Sequence, residues 1–233
     1  MYFIFNGVDS RDLGLYVKDI PFDTMASRRV ETLVLPTIDG TLYRDNDTYE
    51  SYTLSIECIL KDSLTTENIK KIKNAFKVGK GDLILSTRPN NIYKAVIRSQ
   101  VNFTEMLQYT GSCLLTFEIH PFSFIKEGQN TVTVSKNMSI KNLGNYPSKP
   151  LLKAVGGNGL VTITIGGNTM RFTGVNSTFF VDCELEDVYG AKGENLNNFM
   201  DLESDFVSLP TDSFTITFTG LTELHLTPRW REL

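Results

Sequence analysis

The sequence predicts a mainly β protein in two parts, an N-terminal α+β domain followed by a C-terminal β-sandwich. Three observations carry this. Period-two alternation recurs along the whole chain, as in Tyr52, Leu54, Ile56, Cys58 and Leu60. A single good helix pattern occurs, near residue 70. Beyond residue 130 the strands shorten and tight glycine turns multiply. The stretch His120 to Asn130, HPFSFIKEGQN, reads as the boundary, giving domains of residues 1–127 and 128–233. Pro121 and Pro150 remove ladder donors and suit no mid-sheet position. One large β fold with a long internal loop is the alternative.

Taken in order, Phe3 and Phe5 open a strand that stops at the turn pair Asn6-Gly7. Leu13–Val17 and Val30–Leu35 read as further strands. Between Pro36 and Tyr49 the chain is polar; Asp39-Gly40 can close a projecting hairpin, or the stretch is a plain solvated loop. Tyr49–Leu60 is the clearest strand, with one face on a core. The helix spans about Thr66 to Val78: Thr65 caps it, Leu64 staples onto Ile69, Ile69, Ile72, Ala75 and Phe76 form the apolar stripe, and Gly79 ends it. Asp82–Leu85 is a strand, Arg88-Pro89-Asn90-Asn91 a turn, and Ile92–Val101 and Ser112–Ile119 alternate again, with Tyr109-Thr110-Gly111 between them. The first part thus holds six or seven strands and one helix.

In the second part, Asn130–Val134 and Leu151–Val155 read as strands, separated by the turn cluster Asn142–Pro147. Leu160–Ile165 and Thr169–Phe172 flank a Gly166-Gly167 hairpin loop. Phe179–Leu185 places Phe179, Val181, Cys183 and Leu185 on one face and Asp182 and Glu184 on the other. Ser213–Thr219 alternates likewise, and Leu224 and Leu226 lead to Pro228-Arg229-Trp230. Seven or eight short strands without a helix describe a sandwich or jelly roll.

The 233 residues carry a net charge of −4. Divided near Gly128, they hold 15 basic and 16 acidic residues before it and 8 and 11 after it, so neither part offers a nucleic-acid surface. Lys70, Lys71, Lys73 and Lys77 read as the wet face of the helix. No run approaches the ~20 apolar residues of a membrane span, and no signal peptide is legible, which points to folding in a cytosol or exit by another route. Cys58, Cys113 and Cys183 fall at apolar strand positions without CxxC spacing, as buried free thiols.

Catalytic chemistry finds little to work with. His120 and His225 are the only histidines, and GxSxG, HExxH and GxGxxG are absent. The acidic series Asp182, Glu184, Glu186, Asp187, Glu194, Asp201, Glu203 and Asp205 could seat Ca²⁺ or supply a glycosidase pair, but lacks calcium-loop spacing and reads better as a solvated face. Tyr189 and Trp230 could stack on sugar rings, or fill a core edge or an interface between subunits. The expectation is therefore no catalytic, cofactor-binding or metal residues, and no enzyme.

These residues together carry a resemblance. FIFNGVDSRDLGLYV from Phe3, Tyr49-Glu50-Ser51-Tyr52, IKNLGNYPSKPLLKAVGGNGLVTITIGG from Ile140, FFVDCELEDVY from Phe179 and LHLTPRW from Leu224 resemble the distal tail proteins of siphophages that infect Gram-positive bacteria. The resemblance covers nearly the whole chain. It implies a tail-tube-like first domain that closes a ring, generally a hexamer, and a galectin-like or carbohydrate-binding-module-like second domain. It also implies a place at the distal end of the tail in the virion, after assembly in the host cytoplasm. The implied partners are further copies of the chain, the tail-tube protein, the tail-tip or baseplate hub protein and receptor-binding proteins. Leu209-Pro210-Thr211-Asp212-Ser213 departs from the family's proline-glycine-asparagine turn. Competing functions are a carbohydrate-binding module on host cell-wall saccharides and a small glycoside hydrolase.

Overall fold

The computed structural model describes residues 1–20, 25–37, 39–60, 65–77, 79–97, 102–107 and 110–233. The chain divides into two compact units, 1–123 with Leu233, and 124–232. It is mainly β, as the alternation predicts.

The first unit contains β1 (Phe3–Phe5), β2 (Val8–Asp9), β3 (Leu15–Asp19), β4 (Arg28–Leu33), β5 (Leu42–Tyr49), β6 (Tyr52–Leu60), α1 (Thr66–Ala75), β7 (Lys80–Leu85), β8 (Arg88–Ile97), β9 (Asn102–Leu107) and most of β10 (Thr110–Ile125). Its main sheet runs β2-β1-β7-β8-β10-β6-β3, with β9 also paired to β10. Asn6 and Gly7, at φ 49° and 79°, turn β1 into β2 as the Asn-Gly pair requires. A 3-10 turn, Ser10–Leu13, takes up Leu13, so β3 starts two residues later than expected.

The wet-dry alternation of β6 and β10 builds the core. Leu54, Ile56, Cys58 and Leu60 bury on the same face as Cys113, Leu115, Phe117 and Ile119. The helix covers this face because Ile72 and Phe76 reach into it. Phe3, Phe5, Phe76 and Phe117 form one ring cluster, with centroids 5.5–6.2 Å apart. Such pairs add about 0.5–1.5 kcal/mol each beyond area burial. Thr65 caps the helix by accepting the Asn68 N–H at 3.2 Å. The helix ends at Ala75, before Gly79, since Phe76 leaves helical geometry on entering the core. The proposed staple from Leu64 lies outside the described residues.

Two prolines sit where the sequence argued against them. Pro89 belongs to β8, and the turn is Ser86-Thr87. The β7–β8 register shifts between Leu83↔Tyr93 and Leu85↔Arg88, so Pro89 lies in a bulge that needs no donor from it. Pro121 lies inside β10, not in a loop. There the buried positions change phase, from Ile119 to Phe122, and the Phe122 N–H bonds to His120 Nδ1 at 3.2 Å. A side chain thus replaces one ladder partner beside the proline.

The second unit adds β11 (Val132–Val134), β12 (Met138–Lys141), β13 (Leu151–Val155), β14 (Gly159–Ile165), β15 (Asn168–Val175), β16 (Phe179–Asp182), β17 (Asp187–Gly190), β18 (Ser213–Thr219), β19 (Glu223–Thr227) and β20 (Arg231–Glu232). One sheet runs β11-β19-β13-β16-β17 and the other β12-β18-β14-β15. Their inward residues share one core, including Leu152, Ala154, Val181 and Leu226 from the first and Ile163, Phe172, Ile216 and Phe218 from the second. This is the expected sandwich. Gly166 and Gly167, at φ 57° and 93°, make the two-residue hairpin.

Strands β12 and β17 are too short for alternation to mark them, at four residues each, and Tyr189 sets an aromatic on the outward face of β17. The strand expected over Phe179–Leu185 stops at Asp182, because that carboxylate accepts the N–H groups of Glu184 and Leu185 at 3.0 and 3.3 Å and bends the chain. Leu185 is consequently exposed and Asp182 buried, the reverse of the expected faces.

Candidate functional site

One pair of strands stands apart from the other sheets as an arm. Among the described residues strands β4 and β5 pair only with each other, in register Arg28↔Tyr49, Val30↔Asp45, Glu31↔Arg44, Thr32↔Tyr43 and Leu33↔Leu42. Of the two readings left open for Pro36–Tyr49, the hairpin is the one formed, and Gly40 at φ 88° lies at its end. A two-stranded ribbon on its own is marginal in water.

The root is fixed. Ala26 is buried, Glu50 N–H bonds to the Ser27 carbonyl at 2.8 Å, and the Tyr49 ring meets Phe122 edge-on at 5.6 Å. Arg28 binds Asp45 at 3.1 Å and Asp47 at 2.8 Å and lies over the Tyr49 ring. A two-residue register shift, with Asp47 at φ 51°, bends the ribbon next to this anchor.

Beyond the root every residue of β4 is exposed. Alternation puts Val30, Thr32 and Tyr43 on one face and Leu33 and Leu42 on the other. Leu33, Val34 and Tyr43 expose 56, 71 and 73% of their surfaces. Val30 and Tyr43 on one face and Leu33 and Leu42 on the other leave apolar surface exposed on both sides of the ribbon, the kind of patch that marks a protein contact. Charges flank this patch: Glu31 accepts from Asn46 at 2.9 Å and Asp45 pairs with Arg28.

The residues considered for chemistry do not converge. His120 holds the β10 irregularity, whereas His225 lies beside Thr133 and Glu223, at 3.1 and 3.2 Å. Among the described residues no group of three His, Cys, Asp or Glu side chains is placed to hold a metal. The acidic series is dispersed: Glu186 faces Lys149, Asp187 accepts from Asn197, Glu194 from the Lys192 N–H and Asp201 from the Glu203 N–H.

Asp182 departs from that solvated series. Burial by itself would raise its carboxyl, but the Arg229 guanidinium and the Glu184 and Leu185 N–H groups hold it below the usual range. Asp9 is held low by Arg11. Both shifts are opposite to what a general acid requires. Trp230 is buried edge-on to Phe214, and Tyr189 stacks on Phe180 at 5.2 Å with planes 9° apart, so neither stands as an open sugar platform. No helix among the described residues is long and apolar enough to cross a membrane.

No protein-family model and no curated protein matches the chain. Among solved structures, the SPP1 Dit (gp 19.1) protein aligns over 99% of this chain and 98% of its own, with a TM-score of 0.72 and 13% identity. The chain has the Dit fold. SPP1 Dit is described as a paradigm of the hub adsorption apparatus in phages that infect Gram-positive bacteria. The fold therefore agrees with the distal tail resemblance carried by the sequence. At 13% identity the Dit fold persists on pattern, with few shared side chains.

Proposed function

We propose that the chain is a structural distal tail protein: copies of it close a ring, hexameric by the resemblance, that joins the phage tail tube to the tail-tip or baseplate protein and supports host-adsorption components. In this reading residues 1–127 form the ring-building domain and 128–233 the outer sandwich domain. It works in the virion at the distal end of the tail and is assembled in the host cytoplasm. Its work is mechanical joining, with no reaction.

The observation that carries the reading is the β4–β5 arm, on a chain with the Dit fold. A closed ring needs two complementary patches on each copy, and an exposed arm is one such patch. Burying Leu33, Val34, Leu42 and Tyr43 against a neighbouring copy removes apolar surface worth roughly 25 cal/mol per Å² and steadies a ribbon that is marginal alone.

Electron microscopy and native mass measurement of the purified chain test this. Rings with a central opening are expected. Monomer alone across micromolar concentrations would overturn the ring, and a stable ring lacking affinity for tail-tube or hub proteins would overturn the joining role.

A further inference from the structure

We propose that Cys58 and Cys113 form a redox site, a dithiol that peroxide converts into a cross-strand disulfide joining β6 to β10. The inference is independent of the proposed function. The two residues are 55 positions apart, yet they are direct register partners in the antiparallel β6–β10 pair. Direct partners point to the same side of a sheet, and both of these are buried on the core face. Opposite residues in an antiparallel pair lie about 4.5 or 5.5 Å apart at Cα, depending on their hydrogen-bond class. Both separations fall within the roughly 4.4–6.8 Å span of disulfides, so closure needs little backbone movement. Flanking pairs Ile56↔Leu115 and Leu60↔Gly111 keep the register on either side.

As direct partners on one face the two thiols interact, and the interaction makes them unequal. It holds Cys113 below its ordinary value, and with burial it pushes Cys58 up. Cys58 directs its S–H at the Ile56 carbonyl and keeps its proton, which leaves Cys113 as the attacking sulfur. Its thiolate takes one oxygen of hydrogen peroxide, the O–O bond breaks, and the departing hydroxide takes up a proton to become water. The Cys58 sulfur then attacks the resulting sulfenic acid. The S–S bond forms, the S–O bond breaks, and hydroxide leaves with the Cys58 proton as a second water. Two thiols and one peroxide thus yield one disulfide and two waters.

Cys183 provides an internal control. It lies in the other unit's core, its thiol is pushed up to about 12 by burial, and it has no cysteine register partner. The disulfide sets only where peroxide outlasts the surrounding reductants. It would join the two strands that carry much of the first core.

The test exposes the folded full chain to hydrogen peroxide, quenches it, denatures it, alkylates the remaining thiols and maps peptides without reduction. The expected product has one alkylated thiol, at Cys183, and a crosslink between the Cys58 and Cys113 peptides. Dithiothreitol should restore three thiols, and the oxidised chain should unfold at a higher urea concentration than the reduced one. Three alkylated thiols, under conditions that fully oxidise a small thiol, would overturn the proposal. So would a crosslink through Cys183, or Cys113 passing to sulfinic acid without linking. The Cys183→Ala variant should give the same crosslink; losing it there would also count against the site.

Discussion

Arg229 grips Asp182 with two parallel bonds, Nη1 to Oδ1 at 2.7 Å and Nη2 to Oδ2 at 2.9 Å, across 47 residues of sequence. Arg229 stands at φ 53°, a conformation uncommon for a non-glycine residue. The carboxylate also ends β16 through Glu184 and Leu185, so one side chain joins the bend after that strand to the approach to the C-terminus.

Removing this grip should cost stability in a pH-dependent way. The Asp182 pKa is lowered on folding, so its contribution is present above the unfolded carboxyl value of about 3.9 and is lost as pH falls through the folded value. Asp182→Asn should destabilise by roughly 2–3 kcal/mol near neutral pH. Urea unfolding of variant and parent should show the gap closing on acidification. A gap that stays constant would assign the cost to packing.

The arm predicts a separation of assembly from folding. Leu33→Asp combined with Tyr43→Asp alters residues already in water, so the chain itself should lose no more than about 0.5 kcal/mol per site. The midpoint concentration for assembly should rise at least tenfold by light scattering. Unchanged assembly would remove the arm from the interface.

Thr65→Ala deletes the side chain that accepts the Asn68 N–H. A loss of about 1 kcal/mol is expected from the cap alone. Thr65→Asp should restore most of it. Hydrogen exchange over α1 would localise the effect to the first turn.

Gly128→Ala should destabilise the second unit by crowding buried Trp230. A Cβ at Gly128 would meet the Trp230 backbone nitrogen at 2.4 Å and its Cβ at 2.9 Å, on a segment where the Arg229 N–H bonds to the Gly128 carbonyl. Relief requires moving buried Trp230 away from Phe214, and overpacking of this kind costs about 1–3 kcal/mol. A thermal midpoint equal to the parent's would show that Trp230 can yield freely.

The sequence by itself determined much of the local structure. Alternation marked β6, β13 and β18; Asn6-Gly7 and Gly166-Gly167 marked hairpins; Thr65 marked the helix start. Each signal lies within a few residues and depends on one backbone period or one cap, so no distant partner is needed to read it. The order of those signals also carried the distal tail resemblance, which the Dit fold matches. Only the tertiary structure decided what depends on pairing across long separations. It placed Asp182 against Arg229, Cys58 beside Cys113, and, among the described residues, paired β4 with β5 alone. Periodicity states which face of a strand is dry, whereas register between distant strands decides which side chain shares that face, and this is settled only when the whole core packs.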